Sequence, residues 1–427
     1  MREKAIKLKL NQHNEEVKLL WKEFSEKRAS RVPVQMAGFD ERFFIMNPEI
    51  NVKRFTWEHL FNSADAIIEF RIQVYKWWRT IEEPFSDMEY PIDELPDRWG
   101  KCNPFFESAH ELAVLGATLN YSKSNDNPDC SYLLSGAKKW NFENIKYDFD
   151  PEGNGVFGKS IKLWREVKKK CETLKVDGLA IESPGLPWRL FGGDGPFSVA
   201  CGLRGSDVMT DMYEDPDYYH ALMKWITGGI IARMRSTREF AKVELGRPYE
   251  LEDDFQVGDD SAAMLSPKAY TEFVLPYWRQ ICGVFAKPGT HKAAHMCGNA
   301  QHLFKIMVDE LQTVSFDTGF PCNLGKAREE LGPEIHLQGN ITPSLIHSGP
   351  ISGIKGEILG ILRSGVTKGR KFILKDGTNV PPCTPMQHLV DCYYFAKEMG
   401  KYVDENDNVA AMFAEGKSIF PWKNYNR

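Results

Sequence analysis

The feature that most constrains this chain is an alternation running from about residue 155 to residue 400. Short apolar runs at 179–182, 254–257, 291–296, 313–317, 335–338 and 372–375 read as strands. Stretches of helical periodicity lie among them, at 159–174, 205–214, 216–242, 267–286, 300–310, 324–331, 349–364 and 386–399. Strands separated by amphipathic helices pair in parallel, because the crossover returns the chain to the same end of the sheet. About eight such units, with no dinucleotide-binding glycine fingerprint, favour an α/β fold of the closed (β/α)8 TIM-barrel type over an open sheet. In such a barrel the side chains at the C-terminal ends of the strands form the active site.

Upstream of the alternation, residues 3–28 carry apolar positions at helical spacing (Ile6, Leu10, Val17, Leu20, Trp21, Phe24) and predict an amphipathic helix. Residues 31–36 read as a further strand, and 55–80 as one long helix or a bent pair. Turn signals such as Ser124-Asn-Asp-Asn-Pro128 and Pro151-Glu-Gly-Asn-Gly155 mark 85–155 as an insertion capping the barrel mouth. The expected organisation is a helical extension over 1–30 and a single barrel domain over 31–427. The insertion is rich in aromatic residues (Tyr90, Trp99, Phe105, Phe106, Tyr121, Tyr132, Trp140), which suits an apolar or aromatic ligand.

A formal charge of −5 gives no basic surface for nucleic acid. No apolar run approaches the roughly 18 residues of a membrane span, and the charged start has no signal-peptide core. A cytoplasmic location is expected. The nine cysteines are odd in number and widely scattered, which argues against a disulfide framework.

One short run carries chemistry: His291-Lys-Ala-Ala-His295-Met-Cys297-Gly-Asn299. On a strand, residues two apart project to the same side. The His295 imidazole and the Cys297 thiol therefore converge where a strand stops, as two ligands of a borderline-soft ion such as zinc. The plain alternative is a packed strand end with the histidine bonded to a backbone carbonyl. Asp259 and Asp260, in Val257-Gly-Asp-Asp-Ser261, follow a strand and precede a helix start. Either serves as a cavity carboxylate, a metal ligand or a partner of His295, or else as a helix cap.

Six segments in order then resemble the uroporphyrinogen decarboxylase superfamily. They are Gly195-Pro-Phe-Ser-Val-Ala-Cys-Gly-Leu-Arg-Gly205, Tyr213-Glu-Asp-Pro-Asp-Tyr-Tyr-His-Ala-Leu222, Leu265-Ser-Pro-Lys-Ala-Tyr-Thr-Glu-Phe-Val-Leu-Pro-Tyr277, His295-Met-Cys-Gly-Asn299, Leu337-Gln-Gly-Asn-Ile-Thr-Pro343 and Val380-Pro-Pro-Cys-Thr-Pro385. The resemblance implies a (β/α)8 barrel and one of two chemistries. Decarboxylases of the family hold a polycarboxylate tetrapyrrole with arginines, an aspartate, a tyrosine and a histidine. Phe85-Ser-Asp87 resembles the aspartate segment, which makes Asp87 a candidate catalytic carboxylate. The arginine-rich segment is replaced by Gln35-Met-Ala-Gly-Phe39, the tyrosine by Gly202 and the histidine by Thr378. Without the arginines, several substrate carboxylates would be buried unpaired.

The other branch comprises zinc-dependent methyltransferases that work with corrinoid proteins or thiol cofactors. Its H-x-C pair matches His295 and Cys297. Its third ligand, a cysteine, falls at or near Thr378, so Cys322 or Cys383 must substitute, and Cys322 is preferred as nearer a strand end. A sparse set of Asp254, Cys282 and Cys322 stays open. By this resemblance the expected site is His295, Cys297 and Cys322 for Zn2+, with Asp87 and Asp259 as catalytic carboxylates. The expected function is transfer of a methyl group from a small donor, an aryl methyl ether by the aromatic cap, to the Co(I) corrinoid of a partner protein. The alternatives are a decarboxylase-like lyase and a non-catalytic corrinoid- or tetrapyrrole-binding barrel. A homodimer is compatible with this reading.

Overall fold

A computed structural model describes residues 2–93, 95–104, 106, 108–123, 126–186, 193–247 and 251–415; the side chains of Asp253 and Asp254 lie outside that description. The chain divides into two compact units, Met1–Phe44 with Trp77–Glu94 and His291–Arg427, and Ile45–Lys76 with Leu95–Thr290. The sequence reading expected one domain after residue 30. The fold class is α/β and TIM-barrel-like, with parallel strands each followed by helix.

Six strands matter to the site: β1 (Val34–Gln35), β2 (Glu252–Gly258), β3 (Ala286–Met296), β4 (Thr313–Thr318), β5 (His336–Ile341) and β6 (Phe372–Asp376). In the first unit β1, β6, β5, β4 and β3 are neighbours in that order, all parallel. Helices Gln301–Leu311, Leu324–Leu331, Ile351–Arg363 and Met386–Met399 follow β3, β4, β5 and β6. The register separates the two sheet faces. Val34, Leu374, Leu337, Phe316 and Ala294 share one face and are all buried. Gln35, Lys375, Asn340, Gln338, Asp317 and His295 share the other. A barrel that is only packed fills its interior with branched apolar side chains. A polar row there marks a wall that meets something other than core.

The N-terminal helix Arg2–Ser25 is built into the first unit. It buries Leu10, Val17, Leu20 and Phe24. Leu20 and Phe24 pack with Ala29 and with Ile373, which lies on the polar face one register step below Lys375. Each such side chain stabilises by roughly 1.5–3 kcal/mol on full burial. The apolar spacing read from sequence thus closes the lower end of that face.

The second unit holds the remaining βα elements. Trp99 and Ile181 form a parallel bridge, with Trp99 N–H donating to Ala180 O at 2.8 Å and Glu182 N–H to Trp99 O at 2.9 Å. Lys175–Val176 and Leu179–Ala180 pair antiparallel, where a single strand was expected. Helix Val156–Cys171 packs Leu163 and Val167 against Ile67, Ile68 and Trp99. Of the two alternatives expected over 55–80, one long helix or a bent pair, the structure has the pair, Trp57–Asn62 and Ala64–Trp78, broken at Ser63. The region expected as one helix over 267–286 breaks at Val274, because Pro276, the second residue of helix Leu275–Phe285, lacks the N–H that would continue the ladder. Helix Pro196–Arg204 precedes the helix expected from residue 205, in a stretch where no element was expected. The insertion contributes helix Ser108–Ala113, the antiparallel pair Leu119–Asn120 with Asp129–Cys130, and a 3-10 helix at Gly136–Asn144; Phe105 lies outside the described residues. Among the described residues no helix is long and apolar enough to cross a membrane.

Candidate metal centre

Strand β3 ends at Met296, and the chain turns at Gly298, whose φ of +75° suits glycine. Gly319, just past β4, lies against this turn. Its N–H donates to Met296 O at 2.7 Å, and a Cβ there would come within 2.3 Å of Gly298 N. The close approach of the two loops fixes where Cys297 sits. His295 Nε2 and Cys297 Sγ are 3.2 Å apart, so both ligand atoms address one point, as the i, i+2 spacing predicts. The His295 side chain is 45% exposed, which leaves that point open on one side.

The other ring nitrogen is held from β4. His295 Nδ1 lies 2.9 Å from Asp317 Oδ2, and the two residues are register partners. Lys375 Nζ on β6 donates to the same Oδ2 at 2.9 Å. Burial alone would raise the Asp317 carboxyl. The bond to His295 and the Lys375 charge outweigh it and hold Asp317 below the usual carboxylate range. An ionised Asp317 accepts Nδ1–H and leaves the Nε2 lone pair for a metal, the arrangement by which a carboxylate orients a metal-binding imidazole. A neutral nitrogen, a sulfur and a carboxylate behind the imidazole fit zinc chemistry.

Cys322 stands apart from this pair. Among the described residues, no set of three potential ligand atoms lying within 4.8 Å of one another includes it. It is buried, its Sγ donates to Gly298 O at 3.7 Å, and burial pushes its thiol up to about 12, opposite to what a ready thiolate ligand needs. The geometry makes Cys322 a packed thiol holding the turn after Cys297, which corrects its preferred place as third ligand. Cys383 is exposed, on a turn with φ of +59°. Cys282 is buried in helix Leu275–Phe285.

The two candidate catalytic carboxylates occupy anchoring positions. Asp87 has no exposed side-chain surface. Arg31 donates to both its oxygens, at 2.6 and 2.7 Å, Val34 N–H to Oδ2 at 2.6 Å, and Tyr393 O–H to Oδ1 at 2.7 Å. Trp21 on the N-terminal helix donates to its carbonyl. With its carboxylate so occupied, Asp87 ties the N-terminal helix, β1 and the last helix together and has no oxygen to offer a substrate. Asp259 is a helix cap. It accepts from the N–H of Ser198 at 2.7 Å and of Phe197 at 3.3 Å, at the start of helix Pro196–Arg204, and from Trp278 Nε1 at 3.0 Å. The N-cap residue is Gly195, and a Cβ there would meet Asp259 at 2.5 Å, so the aspartate takes the place of a capping side chain. Burial pushes Asp259 up to about 6, against the pull of the Ser198, Trp278 and Phe197 donors.

Sequence reading passed over Asp317 and Lys375. The signal was present: each interrupts an apolar strand with a charge in the register of the polar face. Asp376, next along β6, is buried. Its Oδ1 accepts from Gly38 N–H at 3.3 Å, and its Oδ2 has no hydrogen-bond partner among the described residues. Burial pushes it up to about 7.

A family model described as uroporphyrinogen decarboxylase (URO-D) matches residues 190–399, a span that contains all six motif segments. A uroporphyrinogen decarboxylase of Geobacter metallireducens is 29% identical over 214 residues, covering 48% of this chain and 58% of that protein. A uroporphyrinogen decarboxylase of Geobacter sulfurreducens is 28% identical over 273 residues, covering 58% of this chain and 75% of that protein. The chain thus spans less than two thirds of the length of the first of these relatives. A solved methyltransferase from Methanosarcina mazei superposes with a TM-score of 0.55 and 16% identity, over 86% of this chain and 94% of that one. This likeness supports the α/β, TIM-barrel-like fold. Over residues 190–399, the chain is thus similar to the uroporphyrinogen decarboxylase superfamily.

Proposed function

We propose that this protein is a metal-dependent methyltransferase, which moves a methyl group from a small methylated donor, an aryl methyl ether in the first instance, to the Co(I) corrinoid of a partner protein. The observation that carries the reading is the convergence of His295 Nε2 and Cys297 Sγ, with Asp317 behind the imidazole. The methyltransferase fold neighbour is consistent with it. His295 and Cys297 would hold zinc. A third protein ligand must come from elsewhere in the chain, and Asp260 and Cys383 are the remaining sequence candidates. When bound, the metal supplies Lewis acidity toward the donor's oxygen.

The chain's own residues do the rest. Asp317 fixes the tautomer of His295 and limits its rotation. The polar row Gln35, Lys375, Gln338 and Asp317 offers hydrogen bonds along the same face. The corrinoid of the partner would supply the nucleophile for the demanding methyl displacement, as is usual where a cofactor carries the hard step.

The rival reading is decarboxylation, which the names of the curated relatives favour. That reading needs Asp87 in the pocket, and Asp87 is sealed by Arg31, Val34 and Tyr393. The experiment is direct. The purified protein, loaded with zinc, is mixed with reduced corrinoid protein and a panel of aryl methyl ethers, and methyl-cobalt absorbance is followed. Methyl-cobalt formation that stops on chelation supports the proposal. Carbon dioxide release from a porphyrinogen acid, indifferent to chelation, replaces it with the rival.

A further inference from the structure

We propose that Lys375 is a positioning residue of this centre, acting on His295 through Asp317 and setting how much negative charge reaches a bound metal. The proposal rests on the metal-dependent reading above and deepens it.

Three observations carry it. Lys375 lies on β6 and Asp317 on β4, with β5 between them. The lysine therefore reaches across a whole strand to make its 2.9 Å bond. A side chain that serves only its own strand has no need of that span. Next, Lys375 and His295 converge on one oxygen, Asp317 Oδ2, while Oδ1 is buried without a hydrogen-bond partner among the described residues. Both donors pin the same oxygen, so the carboxylate cannot turn without breaking two bonds. Finally, the Lys375 side chain is only 16% exposed. A lysine ammonium is kept out of water at a cost unless a carboxylate is beside it.

The consequence is electrostatic. A lone carboxylate on Nδ1–H would push electron density through the imidazole onto the metal, making His295 a more anionic ligand. The ammonium offsets that charge. Together Asp317 and Lys375 are neutral, so His295 serves as a neutral imidazole and the negative charge at the metal comes from the Cys297 thiolate. The metal then keeps the Lewis acidity that activates a donor oxygen. A structural ion pair would hold the strands together and leave the metal's electronic properties unchanged.

Cobalt(II)-substituted protein gives the test. We expect K375M to bind cobalt at least threefold more tightly than wild type, to shift its ligand-field bands, and to slow methyl transfer at least tenfold. K375R, which keeps the charge, should return all three toward wild type. Unchanged or weaker cobalt binding in a folded K375M, or failure of K375R to rescue, overturns the proposal. If K375M does not fold, K375Q takes its place with the same expectations. Should the wild type bind no cobalt, the metal reading itself fails. The Lys375 link is then read in the metal-free protein from the His295 ring nitrogens by 15N NMR. A Nδ1–H signal that shifts in K375M, as the uncompensated Asp317 carboxylate draws that proton more strongly, upholds the link, and ring nitrogens indifferent to K375M remove it.

Discussion

His295 Nδ1 and Asp317 Oδ2 are 2.9 Å apart, on residues directly paired across β3 and β4. Because the pairing is set by the sheet register, the orientation of the imidazole is fixed by backbone geometry as much as by the side chains. That relationship makes the metal-binding proposal testable one atom at a time.

Replacing Asp317 by asparagine keeps the shape and removes the charge. D317N is expected to weaken zinc binding by roughly 10–100-fold, the usual effect of losing an outer carboxylate partner. Competition with a chelating dye measures it. Wild-type affinity in D317N would mean that the imidazole is oriented by something else.

H295A and C297S should each drop bound zinc to less than about a tenth of the wild-type content, because each removes one of few ligands. C322S should keep its zinc, since that thiol packs under the Gly298 turn. D260N and C383S identify the remaining ligand by whichever loses metal. Elemental analysis of the purified variants decides among them.

The Asp87 anchor predicts a stability effect rather than a catalytic one. R31M leaves Asp87 buried without its counter-charge and is expected to cost about 3–5 kcal/mol. The thermal midpoint should fall by several degrees. Zinc content should stay at the wild-type level in R31M protein kept well below its midpoint. Loss of metal with an unchanged midpoint would instead return Asp87 to the active site.

Two buried carboxyls set a pH dependence. Asp376 is pushed up to about 7 and Asp259 to about 6, whereas an unfolded aspartate titrates near about 3.9. Between about pH 4 and pH 7 the folded chain holds protons that the unfolded chain has released. Their contribution to stability is therefore largest below pH 4, and is lost as pH rises through 6 and 7. D376N keeps an acceptor for Gly38 N–H and cannot ionise. Its stability relative to wild type should grow over that window, by up to roughly 4 kcal/mol. Urea midpoints at pH 4.5, 6 and 8 check this; parallel curves would show that Asp376 ionises as freely as in the unfolded chain.

The sequence carried more of the elements than of the site. Helices such as Met386–Met399 and strands such as Thr313–Thr318 follow from local periodicity, and the His295/Cys297 pairing follows from the two-residue repeat of a strand. The helix expected over 267–286 was interrupted at Val274 by the Pro276 turn, and the choice between one helix and a pair over 55–80 was settled at Ser63; the effect of such single residues depends on hydrogen bonds a few positions away.

By itself, then, the sequence determined what depends on near neighbours along the chain: α/β alternation, the amphipathic N-terminal helix, and a nitrogen and sulfur on one side of a strand end. Tertiary structure decided what each carboxylate serves. Asp87, Asp259 and Asp317 look alike in sequence, as acidic residues at the ends of apolar runs. Only folding brings Arg31 and Tyr393 to the first, a helix N-terminus to the second, and His295 and Lys375 to the third. The charge of a carboxylate is spent on whatever donors surround it, and those donors arrive from strands and helices far apart in the chain.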